Sequence, residues 1–498
     1  MLIDFAASGS FYSSNTLRLL TIKAELMKVI IIGGGFAGIN LAKKLSRNKS
    51  IQATLVDRNN YNFFPPLLYQ VSTSFIEASN ISYPFRKMFQ YKENLRFFYG
   101  ALKNINHQEK IIETDAGPLS YDYLVLAMGT ETNYFGMQNV QKYSLPMKTI
   151  DDALNLRNHL LLNMETLIRT TDDSERQRRR SIVIAGGGPT GVEVAGMIAE
   201  MSRNILAKDY PELHSPKGSI YLVDAGDALL GPMSKKSQAE AYEVLNKLGV
   251  NIMLNTAVKD FVDGEVLLST GEKILSNTLI WASGVVACAA PGLPATSVGR
   301  GRRILVDEYN KVIGVDSIFA IGDQCYMTAD TEFANGHPQL AQVAIQQGKL
   351  LAANFQRLNA GKQLEPFHYH NKGSMAIIAK YRAVVDLPGK GFFSGFFAWI
   401  IWLFIHIIPI AGYRNKAKLA YNWFWAFVTN DPTLRLIIRP AKKEKVLQDD
   451  KPVDRPEDKA AIAATVNAPA NTFQSASGNG QSPSENGLPK AGDALQKR

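Results

Sequence analysis

The chain has 498 residues, 46% of them apolar and 20% charged, with a formal net charge of +10. That is room for two or three domains with large cores, and it excludes a wholly disordered or fibrous chain. The only cysteines, Cys288 and Cys325, form no close pair. This fits a reducing compartment and excludes a disulfide framework, thiolate metal clusters and dithiol redox chemistry.

The positive charge is concentrated. Residues 372–445 hold twelve Lys/Arg against three Asp/Glu, a local +9, so the rest is close to neutral. The basic residues there surround runs of Phe, Trp and Ile, a pattern suited to an anionic membrane surface. Nucleic acid is not expected as a partner, because the block lacks solvated basic patches.

In chain order, residues 1–26 lack the charged start, apolar core and cleavage site of a secretory signal. They read as an N-terminal extension outside the fold. Lys28-Val29-Ile30-Ile31-Ile32 is a β-branched strand, followed by Gly33-Gly34-Gly35-Phe36-Ala37-Gly38 and the helical INLAKKLSR. A second strand ends at Asp57. Strand, G-x-G-x-x-G, helix and a later acid form a dinucleotide fingerprint. The glycines permit a tight turn and close approach of a pyrophosphate, the helix N-terminus holds its charge, and the acid takes ribose hydroxyls. An aromatic, proline-stiffened loop follows at 62–73, and Tyr123–Thr130 reads as a buried strand ending in a glycine turn.

Residues 150–180 read as a polar helix whose Arg178-Arg179-Arg180 run is a solvated face. The second fingerprint is Gly186-Gly187-Gly188-Pro189-Thr190-Gly191 after the strand at 181–185, with Glu193 on the following helix and Asp224 ending a later strand. An acid at 224, where a 2′-phosphate would require a basic residue, favours NAD over NADP. Residues 278–284 and 318–323 repeat the strand-then-glycine pattern, so one dinucleotide fold is expected to be nested in the other.

Next comes AQVAIQQG at 341–348, on a helix expected to open near Pro338. Gln342 and Gln346 stand four apart on one face, and neutral amides suit the carbonyls of an apolar electron acceptor. Gly348 reads as leaving room for a bulky ring. From Phe392 to Ile410 nineteen residues carry no formal charge; as a helix of ~28 Å this run is long enough to span a bilayer. The flanking basic residues and an amphipathic helix from Tyr413 favour two helices lying in the interface instead. That second helix carries Arg414, Asn415, Lys418 and Asn422 on one face and Tyr421, Phe424, Phe427 and Val428 on another. The tail from 446 is Ala-, Ser-, Asn- and Pro-rich and reads as disordered.

Over residues 28–445 the motifs GGGFAG, FPPLLYQVST, GTETNYFG, GGGPTGVEVAG, LVDAGDALL, LIWASGV, FAIGD, AQVAIQQG and WLFIHIIPIAGYRNK closely resemble those of type II (alternative, non-proton-pumping) NADH:quinone oxidoreductases. The resemblance implies an α/β protein with two nested Rossmann-like domains and a C-terminal amphipathic helical membrane-binding segment. The implied division is 1–26 extension, 27–145 with 286–385 for FAD, 146–285 for NADH, 386–445 for the membrane interface and 446–498 as tail. It also implies non-covalent FAD, NADH as substrate, and menaquinone or ubiquinone as acceptor. The expected setting is the cytoplasmic face of the inner membrane, held peripherally, with a homodimer as a further expectation.

Carried over by motif, Gly33, Gly35, Gly38 and Asp57 hold FAD, Thr73 and Thr130 line the flavin region, and Gly322 and Asp323 contact its ribityl and phosphate part. Gly186, Gly188, Gly191 and Asp224 seat NADH. Glu193 is expected near nicotinamide and flavin, Ile345, Gln346 and Gln347 at the quinone, and Lys380 beside that site. No metal site is implied. Disulfide reductases and sulfide:quinone oxidoreductases share the layout but need redox cysteines. A soluble flavin or ferredoxin reductase would lack the aromatic C-terminal segment, and a non-enzymatic flavin-bound scaffold is the remaining alternative.

Overall fold

A computed structural model describes residues 26–213, 219–389, 391–429 and 434–438, apart from the side chains of 205–207. The N-terminal extension up to residue 25 and the tail from 446 lie outside the described residues.

Strand β1 (Met27–Ile32) runs into helix α1 (Phe36–Leu45), whose Ile39, Leu41, Ala42 and Leu45 are buried. Strands β2 (Ile51–Asp57), β3 (Leu95–Tyr99) and β4 (Tyr123–Leu126) join β1 in parallel. β1, β2 and β4 are largely buried, as parallel strands covered by helices require, whereas the edge strand β3 leaves Arg96 and Tyr99 exposed. Between β2 and β3 the aromatic loop forms two short helices, α2 (Leu68–Ser72) and α3 (Ala78–Ile81). The chain then leaves through β5 (Thr130–Thr132).

A second parallel sheet follows, built from β6 (Leu145–Pro146), β7 (Ile182–Ala185), β8 (Ile220–Val223), β9 (Val250–Met253) and β10 (Thr278–Trp281), in the order β6-β10-β7-β8-β9. Its helices are α4 (Ile150–Leu167), α5 (Asp173–Arg180), α6 (Pro189–Met201) and α7 (Lys235–Lys247). The polar stretch at 150–180 is thus two helices, and its basic run is not simply solvated. Arg179 donates to Asn163 Oδ1 at 3.1 Å and pairs with Glu175 at 2.5 Å.

The chain returns through β11 (Val285–Ala287), antiparallel to β5, and β12 (Ile318–Ala320) pairs with β4 to complete the first sheet. Its order is β12-β4-β1-β2-β3. Helix α8 (Ala341–Asn359) starts three residues after Pro338, with Leu340 as its cap. It lies against α1 so closely that a Cβ on Gly348 would sit 2.4 Å from the carbonyl oxygen of Ala37. The room at Gly348 is therefore filled by a helix backbone, which corrects its reading as space for a ring.

The antiparallel strands β13 (Ser374–Ala379), β14 (Arg382–Leu387) and β15 (Gly391–Ser394) precede helices α9 (Gly395–Ile407) and α10 (Tyr413–Thr429). The uncharged run from 392 thus begins as a strand, because Phe392 and Phe393 pair with β14. Only thirteen residues of it form helix, and among the described residues no helix is long and apolar enough to cross a membrane. The β13–β14 hairpin, expected with the first fold, shares its core with α6 and α9: Ile377, Ile378, Val384 and Val385 pack with Val194, Ile198, Trp399 and Trp402.

Candidate active site

The two fingerprints fold alike. Gly33 and Gly186 adopt φ of +99° and +110°, and a Cβ on either would collide with a backbone carbonyl of the neighbouring strand turn, Ala127 or Ala282, at 2.4 and 2.6 Å. Gly38 and Gly191 let each helix close onto its turn, since a Cβ would lie 1.9 or 1.8 Å from the oxygen of Gly33 or Gly186. Gly35 and Gly188 cap α1 and α6 without any side-chain bond, and a Cβ on either would meet nothing within 4 Å. Bare helix N-termini facing open space are what a pyrophosphate needs.

Each cradle is locked by its acid. Asp57 accepts from Gly34 N at 2.6 Å and Asn59 N at 2.7 Å. Asp224 accepts from Gly187 N at 2.5 Å and Gly226 N at 2.6 Å. Carboxylate oxygens carry further lone pairs, so both acids retain capacity for ribose hydroxyls.

At the first cradle a cavity of about 430 Å³ is lined by Gly33–Ala37, Asp57, Thr130, Lys148, Gly322 and Asp323. Phe36, Phe63 and Pro65 form an apolar wall. The mix of glycine turns, an acid, a helix N-terminus and an apolar wall fits FAD. Lys148, which no sequence motif singles out, donates from Nζ to Thr130 Oγ1 at 2.7 Å. Burial lowers its pKa, and nearby Asp323 partly offsets that. Burial raises Asp323 in turn, with Lys148 and Arg303 pulling it down. A buried cation and a buried carboxyl thus share one end of the cavity.

Other expected residues lie elsewhere. Thr73 is buried, and its Oγ1 donates to Tyr69 O at 2.8 Å, so it holds α2 together and does not line the cavity. Gln347 is fully buried; its Oε1 accepts from Gly322 N at 2.7 Å and its Nε2 meets Cys325 Sγ at 3.3 Å. It braces the turn behind the cavity. Gln342 and Gln346 are also engaged. Gln346 donates to His370 O at 2.9 Å and accepts from His370 N at 3.1 Å; Gln342 does the same with Gly373 O and Lys372 N. The two amides clamp the segment at 370–373 as a neighbouring strand would. Ile345 is half-buried between them, and of this helix only Ala344 reaches the cavity.

Glu193 and Glu200 lie two turns apart on α6 and face the outer edge of β13. Glu193 accepts from Ile377 N, and Glu200 accepts from Lys380 N at 2.8 Å. Between them, a Cβ on Gly196 would lie 1.7 Å from Ile378 O. The glycine admits the strand and the two acids satisfy its edge amides. Burial pushes Glu193 well above the usual carboxylate range and Glu200 up to about 7. Lys380 Nζ reaches Phe427 O at 3.2 Å, beside the rings of Tyr381 and Phe427. It therefore links this edge to α10.

The C-terminal helices are built into the body. Trp423 Nε1 donates to Gln70 Oε1 at 2.8 Å, Asn422 to Asn80 Oδ1 at 3.2 Å, and Asn415 to Ser82 O at 2.8 Å. The asparagines of the expected polar face thus dock on α3, leaving Arg414 and Lys418 exposed. Also exposed on α9, α10 and the turn between them are Phe397, Phe404, Ile408, Tyr413, Tyr421 and Phe424, each more than half accessible.

Two glycine cradles, each sealed by an acid and set on a parallel sheet, define a two-dinucleotide oxidoreductase of the flavin-dependent kind. Residues 27–348 match the pyridine nucleotide-disulphide oxidoreductase family, and residues 371–429 match the NDH2 C-terminal domain. A Mycobacterium tuberculosis protein named type II NADH:quinone oxidoreductase NdhA is 34% identical over 80% of this chain and 87% of its own. An Arabidopsis thaliana mitochondrial internal alternative NAD(P)H-ubiquinone oxidoreductase is 29% identical over 82% and 85%. The NDH2 structure from Plasmodium falciparum superposes with a TM-score of 0.75 at 22% identity, covering 83% of this chain and 100% of that one, and so shares the fold. The chain belongs to the family of type II NADH:quinone oxidoreductases.

Proposed function

We propose that the chain oxidises NADH at the Gly186–Gly191 cradle and reduces a quinone through FAD held in the Gly33–Asp323 cavity. The observation that carries this reading is the presence, in one chain, of two acid-locked cradles and of two C-terminal helices that expose aromatic side chains together with Arg414 and Lys418. FAD supplies the two-electron carrier; the chain binds, orients and shields. Domain limits of 27–145 with 286–385, and 146–285, suit this division, with the hairpin at 374–387 serving both.

Asp224 selects NADH, since a carboxylate repels a 2′-phosphate. Glu193, enclosed and protonated more readily than usual, tunes the nicotinamide side. Gln342 and Gln346 act on quinone through the segment they clamp, and Lys380 positions α10. The exposed rings of α9 and α10 lie in an anionic membrane interface, on the cytoplasmic face of the inner membrane, and the chain pairs into a homodimer.

Removing the C-terminal helices would be a poor test, because Trp399, Trp402 and Trp423 are core residues. The test is instead Phe397→Ser/Phe404→Ser/Ile408→Ser, assayed by flotation on anionic vesicles and by NADH oxidation with a soluble quinone. Lost flotation with retained NADH:quinone turnover is expected. Holoenzyme that bleaches with NADH yet never passes electrons to quinone would refute the functional reading.

A further inference from the structure

Helix α9 carries one titratable side chain, His406, on its inward face, one turn beyond Trp402. The imidazole stacks on Trp402 with centroids 3.9 Å apart and planes 20° off parallel. Its Nδ1 lies 2.8 Å from Trp402 O. A carbonyl only accepts, so Nδ1 carries the proton and Nε2 presents a lone pair. That Nε2 has no protein partner among the described residues, and it is not sealed in as Trp402 Nε1 is.

The ring's other contacts lead to the cofactor cavity. His406 meets Phe64 edge-on at 6.0 Å, Phe64 meets Phe36 edge-on at 5.7 Å, and Phe36 lines the cavity. An aromatic lane thus runs from the membrane-facing helix to the site where the flavin belongs, with one polar atom along it. Burial lowers this imidazole to about 4, so it is neutral at ordinary pH.

A neutral imidazole locked in this tautomer can only accept at Nε2. A quinone also only accepts, so the two form no hydrogen bond, whereas a quinol hydroxyl donates. We propose that His406 Nε2 is a binding site for the hydroxyl of the quinol product, making His406 a positioning residue that distinguishes quinol from quinone. The inference rests on the reading that this chain reduces quinone. The site acts once the ring oxygen that faces Nε2 carries a proton, and it holds the product with that hydroxyl turned toward α9.

The test is calorimetric titration of oxidised, anaerobic holoenzyme with a short-chain quinone and with its quinol. His406→Phe should weaken quinol binding roughly two- to tenfold, the range for one neutral hydrogen bond, and leave quinone binding within twofold. His406→Gln, which restores an acceptor at similar reach, should recover most of the quinol affinity. With wild-type enzyme, the dimethyl ether of the quinol should bind no better than quinone. An ether that binds as tightly as the quinol, or a Phe variant that weakens both ligands equally or neither, overturns the assignment. Wild-type enzyme that fails to reduce quinone with NADH refutes the functional reading instead, and that outcome is scored separately by turnover.

Discussion

Gly196 of α6 and Ile378 of β13 touch backbone to backbone: a Cβ on Gly196 would lie 1.7 Å from the Ile378 carbonyl oxygen. The contact brings Glu193 and Glu200 to the strand edge, so a helix of the second fold and the hairpin leading to α9 share one seam. Gly196→Ala must push the two apart. We expect a loss of about 1–3 kcal/mol, the usual range for overpacking, read as a lower melting temperature. An unchanged melting temperature would mean that the seam yields freely.

Glu200 makes that seam pH-sensitive. Its carboxyl is raised from 4.5 to about 7 by burial. The folded state therefore holds a proton that the unfolded state releases. The associated stability is fully present below about pH 4.5 and is lost as pH rises through 7. Wild type should lose up to ~3 kcal/mol relative to Glu200→Gln across that window. Parallel stability curves for the two proteins between pH 4.5 and 8 would contradict this.

Lys148 is expected to bind and tune the flavin. Its ammonium faces the cavity with Thr130 and Asp323. Lys148→Met removes the cation and leaves the Asp323 carboxyl with Arg303 as its compensating charge. The purified variant should contain less FAD per chain, and its flavin reduction potential should fall. Equal FAD content and equal potential would show that Lys148 only props Thr130.

Asp224 serves two ends at once, locking the glycine turn and facing the ribose. Asp224→Asn keeps one acceptor oxygen but puts an N–H₂ against one of the two backbone donors. Catalytic efficiency with NADH should fall by about tenfold or more, at ~1.5–3 kcal/mol for a lost hydrogen bond to a charged group. NADPH should lose less, because its repulsion is relieved. Separate kcat/KM values for the two nucleotides decide it; an equal loss for both leaves only the turn-locking role.

Gln346→Ala should slow flavin reoxidation by quinone two- to tenfold and leave reduction by NADH within twofold. The cause is release of the chain at His370, where both amide bonds are made. Stopped-flow measurement of each half-reaction separates the two. If reduction by NADH is the slowed step, the glutamine clamp belongs to the nucleotide side.

The glycine cradles were legible in the sequence because a phosphate-binding turn is local. Strand, turn, helix start and acid all lie within a few dozen residues, and each glycine has its own steric reason. Lys148, Glu200 and the Gln70–Trp423 bond were not legible. Asp323 lies far from Lys148 in the chain, as Lys380 does from Glu200 and Trp423 from Gln70, and no residue type announces them. Gln346, Gln347 and Gly348 show a different limit. An amide fits a backbone as well as a ligand, and the space beside a glycine fits a helix as well as a ring. The C-terminal apolar run was legible as uncharged and aromatic, but its first residues pair as strand because β14 offers an open edge, which shortens the helix.

The strand that completes the first sheet, β12, is synthesised long after its partner β4. While residues 127–317 emerge from the ribosome, β4 remains an unpaired edge beside a nearly finished sheet. At ordinary translation speeds that interval lasts roughly 10–40 s. An open, apolar edge held that long invites strand addition from other chains. The ribbon of β5 and β11 draws the two ends of the inserted fold together, Thr130 opposite Ala287. Biosynthesis of this enzyme is therefore most exposed to aggregation before β12 pairs with β4, and slower translation across the second fold would lengthen the danger.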